Sequence, residues 1–161
     1  AIDPGTLRSA WLAFDTTRGT PMRGFFGIVP NAELLEVLRS NRNGWVQSVV
    51  IEQIVSYGMP IGETTIETAH WAGRFAEAAY PLPVYRVPRL AVRMALCHSG
   101  RAKDPNVRRA LLDRFGGDSA IGRKASPGPL YGFKADLWSA LGVAVTFAVM
   151  LPGERAAARL P

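Results

Sequence analysis

Residues 46–55 read Val-Gln-Ser-Val-Val-Ile-Glu-Gln-Ile-Val, an apolar run with a carboxylate, Glu52, in its second half. The near-continuous apolar character predicts a central strand that is buried on both faces of a sheet. A carboxylate in such a strand costs several kcal/mol unless it is paired, protonated or bound to a metal ion. Glu52 is therefore the acid that a purely structural role explains least well.

Two further acids lie at the edges of apolar segments. Asp3 ends the opening Ala1-Ile2 and leads into Pro4-Gly5-Thr6, and Asp136 precedes the apolar stretch 137–145. Alone, Asp3 could simply stabilise a turn and Asp136 could simply cap a helix. Because successive side chains alternate between the faces of a strand, Asp3 and Glu52 would meet if their strands are neighbours and their parity agrees. The three acids together predict one shared metal site.

The rest of the chain predicts an α/β fold with a mixed sheet. Turn residues separate three strands near the N-terminus, which favours an antiparallel meander, and the strand that carries Glu52 should lie beside the first. The expected strands are 1–3, 9–15, 23–29, 46–55 and 84–87, and the expected helices are 31–39, 63–80, 89–98, 105–115 and 136–151. Asn31 and Asp104 are the expected caps of two of these helices. Residues 117–133, rich in Gly, Pro and Ser, predict a mobile basic loop.

Composition narrows the class of protein. A chain of 161 residues suits one domain, here expected over residues 1–152 with a frayed tail at 153–161. Lys and Arg outnumber Asp and Glu 19 to 13, which favours a polyanionic partner such as nucleic acid, although a basic solvated surface would have the same composition. The single cysteine, Cys97, excludes an intrachain disulfide framework. No secretory signal or membrane span is predicted, and because the chain opens within an expected strand, further residues are expected before Ala1.

An all-carboxylate site favours a hard cation, Mg²⁺ or Mn²⁺. Two such ions about 4 Å apart can clamp a scissile phosphate, one activating water and the other stabilising the leaving oxygen. A metal site, a basic surface and a basic loop together favour phosphodiester hydrolysis.

Several motifs resemble those of RuvC-type Holliday junction resolvases, in the order in which that family has them. Ala-Ile-Asp-Pro-Gly-Thr at 1–6 resembles the first acidic motif, and Val-Val-Ile-Glu-Gln at 49–53 resembles the second. Four further segments are similar to the phage-like branch of the family: residues 56–62, 100–106, 109–116 and 130–141. The resemblance covers roughly residues 1–150 and implies a ribonuclease H-like fold with a five-stranded mixed sheet flanked by helices.

The resemblance also implies a function. It predicts a cytoplasmic homodimer, in a bacterial or phage-infected cell, that binds four-way DNA junctions and nicks two strands symmetrically. Asp3, Glu52 and Asp136 match the family's catalytic metal ligands, which implies Mg²⁺ or Mn²⁺ and two ions per site. Bacterial members have a further acid three residues after the position of Asp136, where this chain has Ser139. Water, His98 or Asp104 are the candidates for the missing ligand.

DNA contacts are predicted mainly from charge. Tyr57, just beyond the strand of Glu52, could stack on a base or could be a core residue. The aromatic residues Phe25, Phe26, Trp71, Phe75 and Trp138 are expected in the core, and the helix at 63–80, with its small residues, is the expected dimer surface. Cations in the segments that flank the site are the candidate phosphate contacts, although half of them could be merely solvated: Arg101, Lys103, Arg108, Arg123, Lys124 and Lys134.

Two other functions remain open on the sequence, and the length of the chain argues against a third. The absence of an acid at Ser139 permits a junction-binding protein without catalysis. The fold implied by the motifs also permits a YqgF-like nuclease that acts on RNA, because a fold alone does not choose the substrate. Asp3-Pro4-Gly5-Thr6 matches the Asp-x-Gly-Thr of actin-like ATPases, but those proteins need two such domains and this chain is too short by about half.

Overall fold

A computed structural model of the chain describes residues 1–40, 44–56, 58, 60–150 and 152–160. Within them, five strands form one mixed sheet in the order β3-β2-β1-β4-β5. Strands β1, β2 and β3 are antiparallel neighbours, whereas β4 runs parallel to both β1 and β5. The strands are β1 (Ile2–Asp3), β2 (Arg8–Asp15), β3 (Thr20–Pro30), β4 (Val49–Gln53) and β5 (Val84–Pro88). The expected α/β class, the five-stranded mixed sheet and the pairing of the first and fourth strands are confirmed.

Helices cover both faces of the sheet. The α-helices are α1 (Asn31–Arg39), α2 (Glu63–Ala78), α3 (Arg89–Cys97), α4 (Asp104–Arg114), α5 (Leu137–Val149) and α6 (Pro152–Ala158). Helix α5 packs across the middle of the sheet and against α3 and α4, while α1 and α2 pack together on the opposite face. Within the described residues, no helix has the length and apolar character needed to cross a membrane.

The register of β1 and β4 decides which way the two acidic side chains point. Ile2 pairs with Ile51, and both lie in the apolar cluster beneath α1 and α2. Their neighbours Asp3 and Glu52 therefore point to the other face, towards α5. The condition under which the two acids would meet is therefore fulfilled.

Helix α5 is apolar on all sides because other elements surround it. Leu141, Val143 and Val145 are completely buried in its centre. At Gly142 the helix passes so close to α3 that an added Cβ would lie 2.9 Å from Cγ1 of Val92. A helix that is hydrophobic all round is expected in the interior of a protein, and this burial fixes the position of Asp136 and Ser139 at its first turn.

The segment predicted as a mobile basic loop has a definite structure. A short 3₁₀ helix spans Gly117–Ala120, and strands β6 (Gly122–Arg123) and β7 (Ser126–Pro127) form a small antiparallel hairpin. The hairpin is tied to the core because Leu130 is fully buried and its N–H donates to the Ala120 carbonyl at 2.8 Å. The prediction of a mobile loop was wrong because it rested on the many turn-forming residues of the segment and overlooked Ala120 and Leu130, the two buried apolar residues that anchor it.

The C-terminal segment also differs from the expectation of a frayed tail. It forms α6, and the N–H of Leu160 then donates to the Val84 carbonyl at 2.8 Å, so the chain returns to the edge strand β5. The guanidinium of Arg155 lies 4.9 Å from the ring centroid of Phe147. These long-range contacts have no local sequence signal.

Two of the expected helix caps were assigned wrongly. Asp104 is the first residue of α4, whose cap is Lys103, and Asn31 is the first residue of α1, whose cap is Pro30. The Asn31 side chain is instead buried, accepting a 2.7 Å hydrogen bond from the Ser9 hydroxyl and donating a 2.9 Å bond to the Gly5 carbonyl. The Ser9 hydroxyl in turn accepts from the Gly5 N–H at 3.1 Å.

This buried network fixes the turn that follows Asp3. Replacing Asn31 with Ala should lower the free energy of unfolding by about 1–3 kcal/mol, because the Gly5 carbonyl and the Ser9 hydroxyl lose their partner. Urea denaturation followed by circular dichroism measures the change. Glu36→Ala, at an exposed position of the same helix, serves as the control and should change the stability by less than about 0.5 kcal/mol. An Asn31→Ala protein as stable as the control would contradict the role of the network.

Candidate active site

The side chains of Asp3 and Glu52 meet at the centre of the sheet. Each is supplied by a strand that is hydrogen-bonded to the other, and the two carboxyl groups share a hydrogen bond. Glu52 is only 6% exposed. Two carboxyl groups in contact, in a place from which water is largely excluded, cannot both carry a full charge without a cation or a proton between them.

Burial and the neighbouring charges change the pKa values of this pair. Burial, followed by the charges of Glu52 and Asp136, raises the pKa of Asp3 to about 8, against the opposing effects of Arg89 and of the hydrogen bond from Ser139. Burial also raises the pKa of Glu52, with Arg89 acting in the opposite direction. In the absence of a metal ion, the pair therefore retains a proton near neutral pH.

Asp136 and Ser139 approach this pair from the N-terminal end of α5. Asp136 directly precedes α5, but its side chain makes no capping hydrogen bond. A role as a simple helix cap therefore does not explain this acid. Asp136 is exposed, whereas Ser139 is half-buried and hydrogen-bonds to Asp3. The position at which an acid was expected therefore holds a hydroxyl that contacts the acid pair directly.

The site opens into a cleft of about 680 Å³ between β4, α3, α4 and the start of α5. Acidic and basic side chains face each other across it. Its acids are Glu52, Asp104 and Asp136, and its cations are Arg89, Arg93, Arg108, Arg109 and Lys134. A polyanion entering this cleft would meet fixed positive charge close to the carboxylates.

The oxygen-only donor set of the site suits a hard cation, and the proton shared by Asp3 and Glu52 occupies a place where a cation would be stabilised. In the described part of the chain, however, no three His, Cys, Asp or Glu side chains are close enough together to form a complete ligand group. Asp3 and Glu52 are in contact, while Asp136 interacts with Asp3 through its charge. The chemistry of these residues therefore fits a divalent cation, and Asp136 would have to move closer to Asp3 and Glu52 to complete the ligand group.

The two residues that are candidates for a fourth ligand lie in different places. His98 follows the C-terminal end of α3 in a left-handed conformation with φ 53°, nine residues and so about 13 Å along the helix axis from Arg89. Asp104 lies in the cleft and is ion-paired with Arg89 and Arg93. Of the two, Asp104 is the one near Glu52.

The candidate DNA contacts fall into three groups, and all six described residues are exposed. Arg108 and Lys134 line the cleft, and the Arg108 guanidinium stacks 5.0 Å from the ring centroid of Trp138. Arg101 and Lys103 lie between α3 and α4, whereas Arg123 and Lys124 lie in the β6–β7 hairpin. Tyr57 falls outside the described residues.

Arg89 and Arg93 were missed by the sequence reasoning. Arg89 directly follows β5, whose residue Val87 pairs with Glu52, so its backbone is beside the acid pair. A cation immediately after a strand parallel to the acid-bearing one was the signal that could have identified it. Among the aromatic residues, Phe75 and Trp138 are buried as expected, but Phe25 is 45% exposed and lies against Trp45 at the surface in a tilted arrangement, so its assignment to the core was wrong.

The raised pKa of Asp3 predicts the pH dependence of stability. The carboxyl group has an ordinary pKa of 3.8 when unfolded and about 8 when folded, so the folded state holds the proton more tightly. Its contribution is complete below about pH 4 and is lost as the pH rises through about 8. In EDTA, the free energy of unfolding should therefore fall across this range, and Asp3→Asn should flatten the decline. Urea titrations at several pH values measure both slopes, and equal slopes would contradict the assignment.

Comparison with known proteins supports the fold. No protein-family model and no curated protein matches the chain. Among solved structures, Thermus thermophilus RuvC in complex with its Holliday junction substrate matches with a TM-score of 0.63 and 22% identity, over 99% of this chain and 96% of that one. Another structure of T. thermophilus RuvC matches with a TM-score of 0.57 at the same identity and coverage. The chain thus has, over nearly its whole length, the ribonuclease H-like fold of the RuvC-type resolvases that its motifs resemble.

Proposed function

We propose that the chain is a metal-dependent endonuclease that resolves four-way DNA junctions by hydrolysing phosphodiester bonds. The observation that carries this proposal is the hydrogen-bonded pair of half-buried Asp3 and buried Glu52 on adjacent central strands, with Glu52 lining a cleft that also contains Asp136. Two contacting acids whose pKa values are raised, beside a cleft, are typical of a functional site rather than of a stabilising contact. One of the matching solved structures is RuvC in complex with its Holliday junction substrate. This likeness supports a four-way junction as the substrate.

Asp3, Glu52 and Asp136 are the residues proposed to hold Mg²⁺ or Mn²⁺, with two ions per site. Such ions, when bound, supply an activated water and stabilise the charge of the leaving oxygen. The chain's own residues then have three tasks. The carboxylates would release their shared proton and hold the cation, Arg108 and Lys134 would orient the phosphate, and the apolar residues around Glu52 would keep the local dielectric low so that these interactions are strong.

The DNA-binding residues are proposed to act on the phosphate backbone. Arg108 and Lys134 lie in the cleft itself, and the pair Arg123 and Lys124 projects from a hairpin that is anchored in the core. Because the hairpin is built on Ala120 and Leu130, its cations are presented on a fixed support. Fixed cations lose less conformational entropy on binding than cations on a mobile loop. Arg101 and Lys103 would extend the same basic surface.

Paired symmetric nicks require two active sites, and we therefore propose a homodimer in the cytoplasm of a bacterial or phage-infected cell. Helix α2 is the candidate dimer surface, since its exposed residues include Ile66, Ala69 and Gly73, which share one face. An added Cβ at Gly73 would meet nothing within 4 Å, so packing within the chain does not require the glycine. Sedimentation equilibrium determines the oligomeric state.

A cleavage assay tests the proposed function against its alternatives. The purified protein is incubated with Mg²⁺ or Mn²⁺ and with a mobile four-way junction, a fork, a linear duplex and a structured RNA. Paired nicks in the junction, absent in EDTA, are the expected result. Junction binding without cleavage under either metal would indicate the non-catalytic function that Ser139 permits, and preferential cleavage of RNA would indicate a YqgF-like nuclease.

A further inference from the structure

Arg89 is shared between two acids of unequal burial. Its Nη1 lies 3.8 Å from Oε1 of Glu52, and its Nη2 lies 3.2 Å from Oδ2 of Asp104. Glu52 is 8% exposed at its side chain, whereas the Asp104 side chain is 68% exposed. Only the distance to Asp104 falls near the range of a charge-assisted hydrogen bond. Arg89 is therefore held by Asp104 and stands beside Glu52 as a counter-ion.

The backbone around Arg89 is fixed, but the side chain has room to move. Arg89 is the first residue of α3 and follows directly after β5, while Asp104 is the first residue of α4. The Arg89 side chain is 45% exposed and lines the cleft, so a shift of its guanidinium requires no change in the core. Arg93, one turn further along α3, has an Nη2 atom 4.0 Å from the other Asp104 oxygen. Asp104 thus faces two guanidinium groups.

A guanidinium beside Glu52 weakens the binding of a divalent cation to Glu52, because the two positive charges repel at short range. Arginine cannot relieve this repulsion by losing its proton. We propose that Arg89 is a positioning residue that neutralises Glu52 in the metal-free site, and that Asp104 draws it away when a divalent cation binds. The inference rests on the metal site of the proposed function. It assigns Asp104 a role through Arg89 rather than as a fourth metal ligand.

Opposite effects of two substitutions on metal affinity follow from this arrangement. Arg89→Ala removes the competing charge, so Mn²⁺ should bind about tenfold more tightly. Asp104→Asn leaves Arg89 with Glu52 as its acidic partner, so Mn²⁺ should bind about threefold more weakly. In the double variant the loss should disappear, and the affinity should equal that of Arg89→Ala. Arg89→Gln, which keeps the length of the side chain without its charge, should behave as Arg89→Ala does.

Titration of Mn²⁺ into the full chain without DNA, followed by electron paramagnetic resonance of the free ion, measures these affinities. Arg109→Ala is the matched control: it removes one charge from the same cleft, but Arg109 is ion-paired with Asp113 at 3.0 Å, and its loss should change the affinity by less than about twofold.

Each result supports or overturns the inference. A double variant that binds Mn²⁺ as weakly as Asp104→Asn would show Asp104 to be a metal ligand and would overturn it, as would an Arg89→Ala protein with unchanged or weaker affinity. An unaltered protein that binds no Mn²⁺ at millimolar concentrations would also overturn it. The opposite shifts of the two single variants would stand even if the unaltered protein cleaved no junction, which would overturn the proposed function alone.

Discussion

Replacing Glu52 with Gln is expected to reduce metal-dependent junction cleavage by a factor on the order of 10³ or more. The amide keeps the size of the side chain but cannot bind a divalent cation as a carboxylate does. Glu52 is also the buried member of the pair, so a solvent-exposed acid nearby cannot occupy its position and take over its role. Single-turnover cleavage of a labelled four-way junction in Mg²⁺ and in Mn²⁺ measures the loss.

Folding and DNA binding should survive this substitution. Burial raises the pKa of Glu52, so its charge opposes folding in the metal-free protein, and a neutral amide removes that penalty. Junction affinity measured in Ca²⁺ or EDTA should change little, because the proposed phosphate contacts come from other residues. Glu36→Gln, on the exposed face of α1, is the control and should cleave normally. Cleavage by Glu52→Gln at the rate of the unaltered protein would refute the site.

Leu141→Ala is expected to lower the free energy of unfolding by about 2–5 kcal/mol. Leu141 is completely buried in α5, in the cluster that joins this helix to the sheet, α3 and α4. The close approach of α3 at Gly142 leaves the helix little freedom to collapse into the space that the lost side chain vacates. The cost should therefore include a cavity as well as the lost apolar burial.

Thermal and urea denaturation measure this change, with Val149→Ala as the matched control in the same helix. Val149 is 49% exposed at the end of α5, and its truncation should change the stability by less than about 1 kcal/mol. Because α5 also positions Asp136 and Ser139, Leu141→Ala should lose cleavage activity at temperatures at which it begins to unfold. Equal destabilisation by the two substitutions would contradict the packing described for α5.

Much of the fold was predictable because its signals are local. The apolar run around Glu52 predicted a central strand, and alternation along β1 and β4 meant that Asp3 and Glu52 would share a face if their parity agreed. The register of Ile2 with Ile51 shows that it does. The motifs predicted the ribonuclease H-like fold, since their order along the chain reflects the order of its elements. The catalytic and metal-binding roles of the acids stay predictions until they are measured.

The α/β class and the two acid-bearing central strands could be predicted from the sequence alone, because their apolar runs are local. A strand's period of two made a shared face for Asp3 and Glu52 possible, and the register of β1 with β4 was needed to establish it. Which charges surround these acids depends on how the strands and helices pack. Arg89, just after β5, lies beside Glu52 of the neighbouring strand β4, and Asp104 of α4 is ion-paired with Arg89 of α3. Ser139 of α5 hydrogen-bonds to Asp3 of β1. The same holds for the anchored hairpin and for α6 on β5. These contacts join residues far apart in sequence, and their geometry depends on the packing of whole elements, which no local pattern encodes.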